Sequence, residues 1–163
     1  MDFYPLAANN EWQYKQKDGS TYSNKVTAVN GNDFSMHNSA ANTSSIFRKE
    51  GELFSTDALE AGNFQPWLRN DLQKGNSWEV QFKANGLDCI LVMNVKDTGI
   101  SKEVEGTTYN NVLCVEGENW IIMNGNRMPL NFFTQYYYAD GIGLVLTTSS
   151  MGDSHALIKH SLH

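Results

Sequence analysis

The sequence predicts an all-β fold: a single antiparallel meander closing into an open barrel or sandwich, with at most a short helix near residues 57–74. Three observations carry this. Thirteen glycines and many asparagines recur at short intervals along the 163 residues. β-branched and aromatic residues fill the gaps between them, in runs that alternate apolar and polar. Few stretches run long enough without a turn former to make a helix.

Glu11 to Gln16 alternates Trp12 and Tyr14 inward with polar residues outward. Lys17-Asp18-Gly19-Ser20 follows as a turn, since Asp-Gly supplies the left-handed backbone a tight hairpin needs. Tyr22 to Val29 is the return strand, with Tyr22, Val26 and Ala28 as inward positions. Asn30-Gly31-Asn32 turns the chain into Asp33 to His37, and Asn38 to Ser44 reads as a polar loop. Ser45 to Lys49 and Glu52 to Ser55 form a hairpin around Glu50-Gly51. Asp57 to Lys74 is the least β-like stretch. It holds Pro66 with Leu59, Trp67, Leu68 and Leu72, and suggests a crossing loop with one helical turn at Trp67 to Leu72.

Ser77 to Lys83 alternates Trp78, Val80 and Phe82, and Leu87 to Val95 is strongly apolar. Val104 and Tyr109 to Glu116 follow, with turns expected at Gly99 and Gly106. Trp120 to Met123, Phe132 to Tyr138, Gly143 to Thr148 and Ala156 to Ile158 complete ten to twelve strands in one domain spanning residues 1–163. An internal echo links Asn9-Asn10-Glu11-Trp12-Gln13-Tyr14 to Gly75-Asn76-Ser77-Trp78-Glu79-Val80. Each is a turn followed by a strand whose first inward residue is Trp, which hints at two related halves.

Composition narrows the function. Apolar residues reach 40%, enough for a packed core, whereas charged residues are only 18% against roughly 25% in average proteins. The net charge is -6, and the densest cationic group is the pair Arg48-Lys49. A phosphate backbone needs several cations on one face, so nucleic acid is not an expected partner. No apolar run of about 18 residues spans a membrane as a helix. Residues 1–5 enter the first hydrophobic pattern almost at once, without a signal segment. Cys89 and Cys114 lie in strand-like runs; they read as small buried hydrophobes, with a cross-strand disulfide possible if their strands are neighbours.

Three segments together resemble a group of secreted bacterial β domains, many of them lipoproteins. Phe3-Tyr4-Pro5-Leu6, Asn9-Asn10, Trp12 and Tyr14 resemble the group's Y-P-L-x-x-G-N-x-W-x-Y opening, with Asn9 where the group has Gly. Gly106-Thr107-Thr108-Tyr109-Asn110-Asn111-Val112-Leu113-Cys114-Val115 resembles its G-T-F-x-N-V-L-x-V strand. Tyr138 to Val145 resembles its Y-x-x-G-x-G-L-V close. The match covers about residues 3 to 146, without the lipobox cysteine. The resemblance implies a periplasmic or outer-envelope location and no particular reaction.

Catalytic and metal motifs are absent. His155 and His160 are five apart, which places them on opposite faces of a strand, and His37 and His163 are isolated. No nucleophile elbow or phosphate-cradling loop occurs, and Cys114 lies in an apolar run where a thiol stays protonated. Glu50, Glu52, Asp57, Glu60, Glu103 and Glu105 are the carboxylates a glycoside hydrolase would need to pair, yet most fall at turns or on exposed strand faces. No cofactor or metal is implied. What stands out is Asn131 to Tyr138, which puts aromatics on both faces of one strand. Trp120, Met123, Phe133 and Tyr137 are the expected binding surface, with Met128 extending it, for a protein partner or an apolar ligand. The expected function is a non-enzymatic cell-envelope binding domain. An immunity protein neutralising a secreted toxin is the alternative suggested by size and acidity, and a carboxylate-dependent hydrolase is a third.

Overall fold

The computed structural model describes residues 1–163 and contains no helix; twelve antiparallel strands form one nearly closed, barrel-shaped meander. They are β1 Glu11–Gln16, β2 Thr21–Asn30, β3 Asp33–Asn38, β4 Thr43–Glu50, β5 Leu53–Thr56 and β6 Gln65–Arg69, then β7 Ser77–Ala84, β8 Leu87–Val104, β9 Thr107–Met123, β10 Asn126–Ala139, β11 Gly143–Ser149 and β12 Ser154–Ser161. The order around the wall is β6-β5-β4-β3-β2-β1-β12-β11-β10-β9-β8-β7. Every laddered pair but one is adjacent in sequence; β1 and β12 join the two ends of the chain. The only edges are β6 and β7. With no helix present, no helix crosses a membrane.

Period-two burial builds this wall. β1 buries Trp12 and Tyr14 on one face, and Trp12 is wholly buried. Tyr14 lies opposite Tyr22, whose ring stacks on it at 5.5 Å. Tight turns with left-handed backbone separate the strands, as at Gly19 (φ 89°) and Gly31 (φ 61°), where an L side chain would be strained.

The interior is filled from one end by the segment preceding β1. Phe3 and Tyr4 are buried, and the Tyr4 ring lies 5.4 Å from Trp12, 5.2 Å from Phe47, 6.1 Å from Phe54 and 6.2 Å from Tyr138. Those partners come from four strands, β1, the adjacent β4 and β5, and β10 across the barrel, so Tyr4 is the hub of a single apolar cluster. Its segment is pinned by polar contacts: Phe3 N–H donates to the buried Asn70 Oδ1 (2.8 Å), Asp2 N–H to Asp140 Oδ1 (2.8 Å), and Gly141 N–H to Asp2 C=O (2.7 Å). This segment and the connections 70–76 and 140–142 that it contacts lie at the lower end of the barrel; turns 39–42, 57–64, 85–86 and 124–125 lie at the upper end.

Several expectations need correction. In place of the helical turn at Trp67 to Leu72 the chain forms β6 and an irregular turn. A register shift in the β5–β6 pair leaves Trp67 and Leu68 both directed to the core, so the apolar spacing mimicked a helix. Gly99 (φ 65°) is not a turn: it lies within β8, in a region of repeated register shifts. Ala28 is exposed rather than inward, because a shift between Val26 and Ala28 flips the face. The loop expected over Asn38 to Ser44 shrinks to residues 39–42. Cys89 and Cys114 are free. They do lie on neighbouring strands, but Cys89 faces Ile121 while Cys114 faces Asp97 and Tyr137. The sulfurs therefore stand roughly 20 Å apart along the strands, far beyond disulfide reach.

Candidate functional site

The largest concavity is at the upper end, a cavity of about 540 Å³ between strands β2–β4 and the 57–61 loop. Register builds its wall. Val26, Met36 and Ser45 form one row across three strands; Asn24, Asn38 and Thr43 form the next row up. Directly paired residues share a face, so because Val26 and Met36 are core, the second row also faces inward. The floor is Tyr4, Met36 and Phe47. Cavities of this size hold small ligands in other proteins.

The opposite wall is held rigid. Asp57 lines the cavity, yet its carboxylate is committed: Ile46 N–H donates to Oδ1 (2.8 Å) and Gly62 N–H to Oδ2 (3.1 Å). Thr56 Oγ1 donates to Ile46 C=O (2.9 Å) and accepts from Ala58 N–H (3.1 Å). The small residues Ala58 and Ala61 complete this wall. Asp57 is the only charged residue lining the cavity.

The polar groups of the remaining lining are uncharged. Asn38 Nδ2 donates to Asn24 Oδ1 (2.8 Å), and Asn38 Oδ1 accepts from Ala41 N–H (2.9 Å). The hydroxyls of Tyr4, Thr43, Ser44 and Ser45 make no hydrogen bond to protein. For Tyr4 this is unusual: the residue is only 6% exposed, and burial pushes its phenol above the ordinary tyrosine value. Its oxygen is not among the sealed, unpartnered polar atoms, which are Trp78 Nε1 and Trp120 Nε1 alone. The hydroxyl therefore opens onto the cavity floor, ready to donate or accept.

The residues expected to bind fall elsewhere. On β9 and β10, Val115 opposes Tyr136 and Leu113 opposes Tyr138, all inward, so Trp120, Phe133 and Tyr137 lie on the outer face. Trp120 and Phe133 are diagonal neighbours there. Tyr137 lies farther down, with Lys102 Nζ 4.7 Å above its ring and its hydroxyl donating to Gln135 Oε1 (3.0 Å). Met123 is on the other face, at the tip of the β9–β10 hairpin, where Leu87, Met128 and Leu130 are also exposed. The structure thus separates Met123 from the three aromatics.

The carboxylates of the sequence do not converge in the cavity. Glu60 accepts from Lys83 N–H (2.9 Å) and Asn63 Nδ2 (3.0 Å), and Glu105 pairs with Lys15 at 3.1 Å. No group of three or more His, Cys, Asp or Glu is gathered that could hold a metal ion. His155 Nδ1 is 2.7 Å from Tyr22 Oη, and burial pushes that phenol up to about 12. Burial likewise pushes the Cys114 thiol up, which keeps it protonated.

Of the cavity residues, sequence singled out Asp57 only as a candidate carboxylate and Tyr4 only as part of the opening motif, and it did not bring them together. A signal existed in Thr43-Ser44-Ser45: polar side chains running into a strand that must put alternate residues inward.

Fold and cavity define a barrel-shaped antiparallel β protein with an open, ligand-sized upper end. No family model matches the sequence, and no curated protein is similar to it. Solved structures are similar in fold. One, from Bacteroides fragilis, is a protein assigned as exported and described as having a YmcC-like fold; it is 12% identical, with 98% of each chain covered and a TM-score of 0.60. Another, from Parabacteroides distasonis, is assigned as a lipoprotein; it is 14% identical, with 98% of each chain covered and a TM-score of 0.55. At such identities the likeness establishes the shared fold alone.

Proposed function

We propose that this protein is a non-enzymatic domain of the bacterial cell envelope that holds a small, uncharged, partly apolar ligand in the upper cavity. One observation carries the reading: the Tyr4 hydroxyl, in a buried residue, has no protein partner and opens onto a 540 Å³ cavity. Unpartnered hydroxyls beside an aromatic floor favour a ligand with both apolar surface and hydrogen-bonding groups. The lone carboxylate is already bonded to two backbone N–H groups, so binding is favoured over carboxylate-dependent hydrolysis, which needs two. An envelope location is supported by the assignments of the two similar structures as exported protein and lipoprotein. The outer surface around Trp120 and Phe133 ranks second as a binding place, because those side chains are already half-buried.

The test uses two dyes of one skeleton. N-phenyl-1-naphthylamine is uncharged; 1-anilinonaphthalene-8-sulfonate adds a negative charge. The uncharged dye is expected to bind saturably, with rising fluorescence and at least tenfold more tightly, since the lining has no cation to meet a sulfonate. Ala58→Trp fills the cavity and abolishes binding. Tyr4→Phe keeps the ring and the thermal midpoint but weakens binding about fivefold to tenfold, the worth of one hydrogen bond. Equal binding of the two dyes, or binding untouched by Ala58→Trp, overturns the reading.

A further inference from the structure

The two halves of the chain repeat one another in hydrogen bonding as well as in sequence. Asn9 N–H donates to Val26 C=O (3.0 Å), Val26 N–H to Asn10 C=O (2.8 Å), and Asn10 N–H to Ala7 C=O (3.1 Å). Gly75 N–H donates to Val95 C=O (3.0 Å), Val95 N–H to Asn76 C=O (2.9 Å), and Asn76 N–H to Gln73 C=O (3.0 Å). Both left-handed positions match, Asn9 at φ 67° and Gly75 at φ 91°. The sheet order is the same six-strand run twice: β1 to β6, then β7 to β12.

The two junctions between the halves differ. β1 and β12 are laddered, and at that junction Trp12 Nε1 donates to Ile142 C=O at 2.7 Å. β6 and β7 have no ladder, and the equivalent Trp78 Nε1 is buried with no acceptor. A cavity of about 340 Å³ lies in this gap, lined by Leu53, Leu68, Leu72 and Trp78 among others.

The upper part of the β7 edge shows what the gap accepts. Gln81 N–H donates to Gln65 Oε1 (3.0 Å), Asn63 Nδ2 donates to Gln81 C=O (2.9 Å), and Lys83 N–H donates to Glu60 Oε1 (2.9 Å). Side-chain amides and a carboxylate there take the place of a neighbouring strand. Backbone direction alternates along an antiparallel strand, so Ser77 and Glu79 also point their N–H and C=O groups into the seam. No strand pairs with them. The facing edge carries Pro66, which has no N–H to offer.

We propose that the lower seam is a second binding site, for a short extended apolar peptide that pairs with β7 at Ser77 to Glu79. Its side chains meet Leu53, Leu68 and Leu72, and one of its carbonyls accepts from Trp78 Nε1. Strand addition to a sheet edge draws affinity from main-chain bonds and specificity from alternate side-chain pockets. This site is independent of the upper cavity.

The test titrates the ¹⁵N-labelled protein with acetyl-Val-Thr-Val-amide and with the same peptide N-methylated at alternate amides. The expected result is a saturable downfield shift of the Trp78 indole N–H, with slowed exchange at Ser77 and Glu79. N-methylation weakens binding at least tenfold. The Trp78 signal is identified as the one lost in Trp78→Phe. A Trp78 indole unmoved at millimolar peptide, or equal binding of the two peptides, overturns the proposal.

Discussion

Trp12→Ala is expected to lower unfolding stability by about 4–5 kcal/mol, roughly the worst loss a single core truncation produces. Trp12 is wholly buried, packs on the Tyr4 hub at 5.4 Å, and lies against Gly143, where an added Cβ would meet its Nε1 at 3.0 Å. Removing the indole empties the space between the hub and the β10–β11 turn. It also strands Ile142 C=O, which accepts from Trp12 Nε1. Small domains carry about 5–15 kcal/mol in total, so urea unfolding should show a midpoint near collapse. The repeat supplies an internal control. Trp12→Phe loses a satisfied hydrogen bond, whereas Trp78→Phe loses none. The first is expected to cost about 1–3 kcal/mol more than the second. Equal costs would mean the two junctions are not different in the way described.

Alkaline unfolding is the second large effect. Tyr4, Tyr14 and Tyr138 are buried, and burial, reinforced by neighbouring tyrosines, pushes each phenol well above its ordinary value of 10.0. Burial pushes Tyr136 up to about 12. In the folded state these groups keep their protons; in the unfolded state they release them above pH 10. Their contribution is therefore fully present below pH 10 and is lost as the pH rises toward the folded values. Each of these three tyrosines forgoes about 1.4 kcal/mol per pH unit in that window. Three together cost about 4 kcal/mol by pH 11. Urea midpoints at pH 8 and pH 11 measure this. The near-ultraviolet rise of tyrosinate should coincide with loss of structure. Smooth titration of all seven tyrosines near pH 10 in a folded protein would contradict it.

The meander was readable because its signals are local. Asp18-Gly19, Asn30-Gly31 and Glu50-Gly51 mark turns by backbone chirality, and Trp12–Tyr14 and Trp78–Val80 show alternation within one strand. The Asn-x-Trp echo was also local, and the matching hydrogen bonds at Asn10 and Asn76 give it a physical basis. Bulges were not readable. Trp67 and Leu68 share the core side only because β5 and β6 slip register, and Ala28 turns outward for the same kind of reason. Gly99 looked like a turn because a left-handed glycine serves a bulge as well as a hairpin. The cavity was least readable. Tyr4, Asn24, Ser45 and Asp57 meet only once strands β1 to β5 have curled, and no residue in that set carries a chemical motif. Trp120, Phe133 and Tyr137 drew attention by residue type, while the strand parity that sends them outward depends on which face β9 turns to the core.

Methyl spectra of the protein titrated with N-phenyl-1-naphthylamine locate ligand binding directly. Saturable shifts at the methyls of Ala41, Ala58, Ala61 and Met36, with Ala28 and Ala156 unmoved, are the expected result. Shifts confined to Met123 and Met128, or to Leu53 and Leu72 in the seam, would place the ligand outside the upper cavity and contradict the account.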